Sequence, residues 1–141
     1  PKDIVNLNNN IILKNSDIGT LGNKITKVDF IDKSIVKVIT NNNIEKKKIS
    51  RAKKFLRKCK HTKKNTYGHI GIYQFRTSIL KKFVNLRQSK NEIKHRLEQL
   101  RAIENGINID VVFSKNKSFG IDTVEDYVEI KKIMEYKIKK L

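Results

Sequence analysis

The spacing of apolar residues divides the chain into helical and extended stretches from its start. Ile4, Leu7, Ile11 and Ile12 recur every three or four positions, with Asp3 placed to complement a helix N-terminus and Pro1 suited to the first turn. Ile18-Gly19-Thr20-Leu21, with Ile25 beyond, then reads as a short strand. Ile35-Val36-Lys37-Val38-Ile39-Thr40 is a stronger one, rich in β-branched residues and followed by asparagines. Between Lys46 and Lys64, residues Ile49, Ala52, Phe55, Leu56 and Cys59 fall on one helical face. This predicts a basic amphipathic helix and a loop from Thr62 to Thr66.

His69-Ile70-Gly71-Ile72-Tyr73-Gln74-Phe75 alternates as a strand does, and Thr77 is placed to cap a short helix carrying Ile79, Leu80, Phe83 and Val84. Ser89 and Glu92 have capping-box spacing for the next helix. Its predicted buried stripe is Ile93, Leu97, Leu100 and Ile103, and Asn105-Gly106 ends it. Ile107 to Phe113 reads as a strand. A last helix opens at Thr123, with Glu125 and Asp126 in its first turn, and runs through Tyr127, Ile130, Ile133 and Met134 into lysines. Helices interspersed with strands, and a strand pair in the middle, make an α/β pattern.

Composition changes this picture little. At 141 residues there is room for one domain, and an apolar fraction of 38% suffices for one core and argues against disorder. No run of eighteen apolar residues occurs, so no membrane-spanning helix is expected. The single Cys59 cannot close an internal disulfide, which favours a cytoplasmic location, and Cys59 with His61 is too small a ligand set for zinc.

The net charge of +18 would attract polyanions. Lysine supplies 26 of the 32 basic residues, however, and asparagine and isoleucine are also abundant, the bias that an A- and T-rich genome imposes whatever the function. Lys46–Lys64 holds eleven Lys or Arg residues and no acid, yet its only aromatic is Phe55, so it lacks the stacking platform of a single-strand binder. A solvated basic face is the favoured reading, and nucleic acid is not the expected partner.

Four segments carry a resemblance to a family. They are Ile49-Ser50-Arg51-Ala52, Gly68-His69-Ile70-Gly71-Ile72-Tyr73-Gln74-Phe75-Arg76, the helix Arg96-Leu97-Glu98-Gln99-Leu100-Arg101-Ala102-Ile103-Glu104-Asn105-Gly106, and Gly120-Ile121-Asp122-Thr123-Val124-Glu125-Asp126. In this order they resemble the 3-deoxy-manno-octulosonate (KDO) cytidylyltransferases, the CMP-KDO synthetases of lipopolysaccharide biosynthesis. The resemblance implies a three-layer α/β nucleotidyltransferase of the glycosyltransferase-A-like, Rossmann-like kind, here in an incomplete C-terminal portion. It also implies CTP and KDO as substrates, magnesium, and a cytoplasmic homodimer. Residues 1–67, with the strand pair and basic segment, would serve dimerisation, and 68–141 sugar binding.

Family members carry an Arg/Ser- and Lys-bearing loop that grips the CTP phosphates and a Gln-Gly-Asp-Glu-Pro segment with a metal-binding acid. Neither is found here, and the chain starts on proline in mid-pattern, so a fragment inactive alone is expected. Ser50-Arg51-Ala52 also departs from the family pattern, with Ile49 before it and Lys53-Lys54-Phe55 after it.

The implied sugar-binding residues are Arg51, His69, Tyr73, Glu98 and Gln99, and the implied magnesium carboxylate is Asp122. All but Arg51 have an ordinary structural alternative. A strand histidine is often a satisfied core residue, and Tyr73 suits the core. Glu98 and Gln99 suit a solvated helix face, and Asp122 suits a helix N-cap. Arg101 and Glu104, three apart, suit a surface ion pair. The rival readings are a sialic-acid-type cytidylyltransferase and a basic nucleic-acid-binding module.

Overall fold

A computed structural model of the chain describes residues 2–59, 64–116 and 124–138. Pro1, His61, Thr62, Asp122 and Thr123 therefore lie outside the described residues. Five strands, β1 (Ile18–Asn23), β2 (Lys37–Thr40), β3 (Ile49–Leu56), β4 (Thr66–Phe75) and β5 (Ile109–Ser114), close in the order β1-β4-β2-β3-β5. Only β1 and β5 run parallel; the other pairings are antiparallel. The α/β class expected from the pattern is the class observed, with a mixed sheet curled on itself. Strand β4 runs across residues 67 and 68, so no structural boundary falls there.

Helix α1 (Lys2–Lys14) covers one face of the sheet. Leu7 and Ile11 pack with Leu21, Ile70 and Val112 in one cluster, while Ile4 and Ile12, expected on the same stripe, are exposed. Polar bonds fasten α1 to β5 at both ends. Ser114 Oγ and Asn116 Nδ2 donate to the Asp3 carboxylate at 2.9 and 2.8 Å, and Lys14 Nζ and Ser16 Oγ donate to Asp110, both at 2.6 Å. Gly19 is the point of closest approach: a Cβ there would lie 2.2 Å from Ile11 Cγ1.

The other face carries the larger cluster, in which Ile18, Val38, Ile44, Ala52, Phe55, Tyr67, Ile109 and Val111 meet Leu97 and Ala102. Two helices border it, α4 (Thr77–Val84) and α6 (Gln99–Glu104), and α5 (Lys90–His95) packs against α6. Short helices α2 (Lys27–Ile31) and α3 (Ile44–Lys47), unforeseen in the pattern, join the strands. A Thr26–Asp29 capping box starts the first, and the Asn43 side chain caps the second. The last helix, α7 (Val124–Ile138), exposes Tyr127, Ile133 and Met134.

Two of the expected helices fail, each for an identifiable reason. Lys46–Lys64 is not a basic helix: after one turn of α3 it becomes β3. Thr40 pairs with Ala52 but Ile39 with Lys54, so β3 carries an extra residue, a bulge. The bulge shifts the inward phase from Ser50 and Ala52 to Phe55, and that jump imitates a helical spacing.

The helix from Ser89 is also not continuous. Arg96 adopts a left-handed conformation (φ 52°), its N–H bonds the Glu92 carbonyl, and the chain turns before α6. Ile93 is consequently exposed, and Glu92 is buried in its place. Arg101 Nε donates to Glu92 Oε2 at 2.8 Å, and the Arg101 guanidinium lies 4.8 Å from the Phe83 ring centre. The Arg101 partner is thus Glu92, whereas Glu104 accepts from Asn91.

Gly19→Ala should cost about 1–3 kcal/mol, because Ile11 is β-branched, helical and buried and cannot swing clear. Urea unfolding measures it. In the same assay Glu92→Ala should cost about 3 kcal/mol by stranding a mostly buried guanidinium, whereas Glu104→Ala should leave the midpoint nearly unchanged.

Candidate functional site

Antiparallel pairing of β1 with β4 builds the centre of the site. Gly22 lies opposite His69 and Thr20 opposite Tyr73, but Leu21 lies opposite Ile70, so Gly71 and Ile72 are an extra pair looped out of register. Both looped residues are exposed. The Thr20 hydroxyl, on a fully buried residue, closes the loop by donating toward the carbonyls of Ile72 (2.8 Å) and Ile70 (3.2 Å). It also lies 2.9 Å from His69 Nε2.

His69 is held on several sides. Its backbone N–H donates to the Val36 carbonyl at 2.8 Å. Its ring meets Phe55 edge-on, centroids 5.1 Å apart, and Tyr73 at 5.4 Å. Burial lowers its pKa from 6.5 to about 4, so the ring is neutral near pH 7. Tyr73 continues an aromatic row to Phe75 and Phe83. Burial, and then the negative charge of Glu98, push its hydroxyl well above the ordinary tyrosine range.

Glu98, exposed, precedes the first turn of α6, and Gln99 follows it, largely buried. The break at Arg96 sets the position of both. His69, Tyr73 and Glu98 are therefore brought together by β4 and the α6 start, residues some thirty apart in the chain. The group offers a neutral imidazole, a protonated phenol and a carboxylate. That set can accept and donate hydrogen bonds to a polyhydroxylated ligand.

Arg51 stands elsewhere. Ile49 packs with the α1-side cluster, and Ser50 and Ala52 turn inward, so Arg51 lies on the α1 face. It pairs in register with Asp110 and donates to it from Nε at 3.2 Å. Burial disfavours the Asp110 charge, but the bonds from Lys14 and Ser16 and the charges of Lys14 and Arg51 outweigh it and hold the carboxyl below its usual range. The sheet separates this network from His69.

Asp122 lies outside the described residues. Among the described residues no group of three or more His, Cys, Asp or Glu side chains is gathered as a metal site. None of their helices is long and apolar enough to cross a membrane. Thr20 was not foreseen as part of the site. Its one signal in the sequence is a lone hydroxyl inside the apolar strand Ile18–Leu21.

The profile of the cytidylyltransferase family matches residues 1–117. The chain belongs to the cytidylyltransferase family. A 3-deoxy-manno-octulosonate cytidylyltransferase of Thermodesulfovibrio yellowstonii is 45% identical over 122 residues, covering 80% of this chain and 47% of the relative. One from Bartonella tribocorum is 34% identical over 136 residues, covering 95% and 55%. The solved structure of a CMP:2-keto-3-deoxy-manno-octonic acid synthetase complexed with CTP superimposes with a TM-score of 0.84 at 26% identity, over 97% of this chain and 57% of that one. The chain thus spans about half the length of the relatives it matches. Its mixed α/β architecture is that of this cytidylyltransferase fold.

The low pKa of His69 makes a pH prediction. Unfolding restores a histidine that binds a proton near 6.5, whereas the folded ring does so only near 4. The unfolded state binds more protons in that window, so stability falls as pH drops from about 6.5 toward 4, by up to about 1.4 kcal/mol per unit. Urea unfolding at about pH 7 and pH 5 should show a loss about 2 kcal/mol larger for the wild type than for His69→Phe.

Proposed function

We propose that this chain contributes the acid-sugar-binding part of a CMP-KDO synthetase, the enzyme that joins KDO to CTP and releases pyrophosphate. The observation that carries the reading is the meeting of His69 with Tyr73, and of Tyr73 with the charge of Glu98, in a chain of the cytidylyltransferase family. In this reading the His69 imidazole and the Glu98 carboxylate accept hydrogen bonds from sugar hydroxyls, the Tyr73 hydroxyl donates one, and the Gln99 amide does either. Holding the acceptor sugar still turns its attack on the nucleotide phosphorus into an effectively unimolecular step.

The same reading includes CTP as the second substrate, a homodimer through residues 1–67 and a cytoplasmic location. Magnesium would be held by the Asp122 carboxylate together with phosphate oxygens, and would offset phosphate charge. Arg51 is not part of the sugar site in this reading, because Asp110 occupies it on the other face of the sheet.

Calorimetric titration of KDO into the chain tests this. His69→Ala and Glu98→Ala should each weaken binding about tenfold, and Arg51→Ala less than about twofold. Sialic acid should bind more weakly than KDO. Equal loss from Arg51→Ala and His69→Ala would refute the placement. KDO at millimolar concentration leaving all three sites unperturbed would remove the reading.

A further inference from the structure

The Thr20 hydroxyl has one proton and three polar neighbours: the carbonyls of Ile72 and Ile70, at 2.8 and 3.2 Å, and His69 Nε2, at 2.9 Å. Carbonyl oxygens cannot donate. If the proton pointed at His69, the two carbonyls would face the Thr20 oxygen with no hydrogen between, and the 2.8 Å approach would be repulsive. The proton must therefore lie toward the carbonyls, and the hydroxyl oxygen must accept from His69. A neutral imidazole carries one N–H, so that hydrogen sits on Nε2 and the Nδ1 lone pair is left as the acceptor. Among the described residues none is bonded to Nδ1.

We infer that Thr20 is a positioning residue that fixes His69 as the Nε2–H tautomer, so that Nδ1 presents a hydrogen-bond acceptor to a hydroxyl of the bound sugar. The tautomer follows from the Thr20 hydrogen bonds and the neutral ring, and only the ligand clause rests on the sugar-site reading. The looped pair Gly71–Ile72 is part of the device. By leaving the register it brings the Ile70 and Ile72 carbonyls to one hydroxyl, and their joint demand for a proton is what orients Thr20. A serine would serve as well, whereas valine has the shape and no proton.

Nitrogen-15 NMR of the imidazole rings, using long-range proton–nitrogen correlation on the whole chain near pH 7, distinguishes the tautomers. In the wild type and in Thr20→Ser, Nε2 should resonate as a protonated nitrogen and Nδ1 as an unprotonated one. Thr20→Val should give a mixed or reversed pattern, and KDO binding about tenfold weaker, with Thr20→Ser within about threefold of wild type. An Nδ1–H tautomer in the wild type would overturn the inference, and this holds even if Thr20→Val fails to fold. A Thr20→Val spectrum identical to that of the wild type would overturn it too. Failure of the sugar-site reading looks different: the Nε2–H tautomer stands, but added KDO leaves the His69 nitrogens unmoved.

Discussion

Strand β1 has neither a free edge nor a free face. β4 lies along one edge and β5 along the other, while α1 presses on Gly19 and Leu21 and the large apolar cluster receives Ile18. A strand in that position can carry almost no unsatisfied polarity. Thr20 is admitted because its hydroxyl is saturated by two carbonyls and a histidine. The fit of α1, the closure of the sheet and the state of the His69 ring therefore meet in six residues, Ile18 to Asn23.

The two faces of this strand separate two kinds of electrostatics. On the α1 face a buried carboxylate, Asp110, is stabilised by Lys14, Ser16 and Arg51, a network that fastens a helix to a strand. On the other face the imidazole is neutral and the tyrosine protonated, its pKa raised further by the nearby Glu98 carboxylate. Burial that would be costly for charged groups is tolerable here because the groups are uncharged. Most of the lysines behind the +18 net charge enter neither arrangement, being spread over the exposed surface.

Irregular backbone sets the site as much as regular pairing does. The looped pair in β4 keeps His69 and Tyr73 on one face while supplying the carbonyls that hold Thr20. The left-handed Arg96 turns the chain so that Glu98 and Gln99 begin a new helix near Tyr73 rather than continuing along the old one. In β3 the bulge beyond Ala52 brings Phe55 inward beneath His69. Each departure costs some local regularity, and each places a side chain that uniform strands or a straight helix would have aimed elsewhere.

Local order was legible in the sequence wherever apolar period and chain direction agree. The β-branched runs announced the strands near residues 18, 38, 72 and 111, and capping chemistry announced the helix at Ser89. His69, Tyr73, Glu98 and Gln99 could be singled out from motif resemblance. The basic stretch after Lys46 misled because a bulge changes the phase of a strand, and spacing alone cannot tell that phase change from a helical turn. Which face each residue occupies was decided only by tertiary structure. Arg51 and His69 are separated by a sheet whose pairing is non-local, and the Glu92–Arg101 pair depends on a break at Arg96. The Thr20–His69 bond joins strands 49 residues apart, and no local pattern encodes a contact that exists only after β1 and β4 have paired.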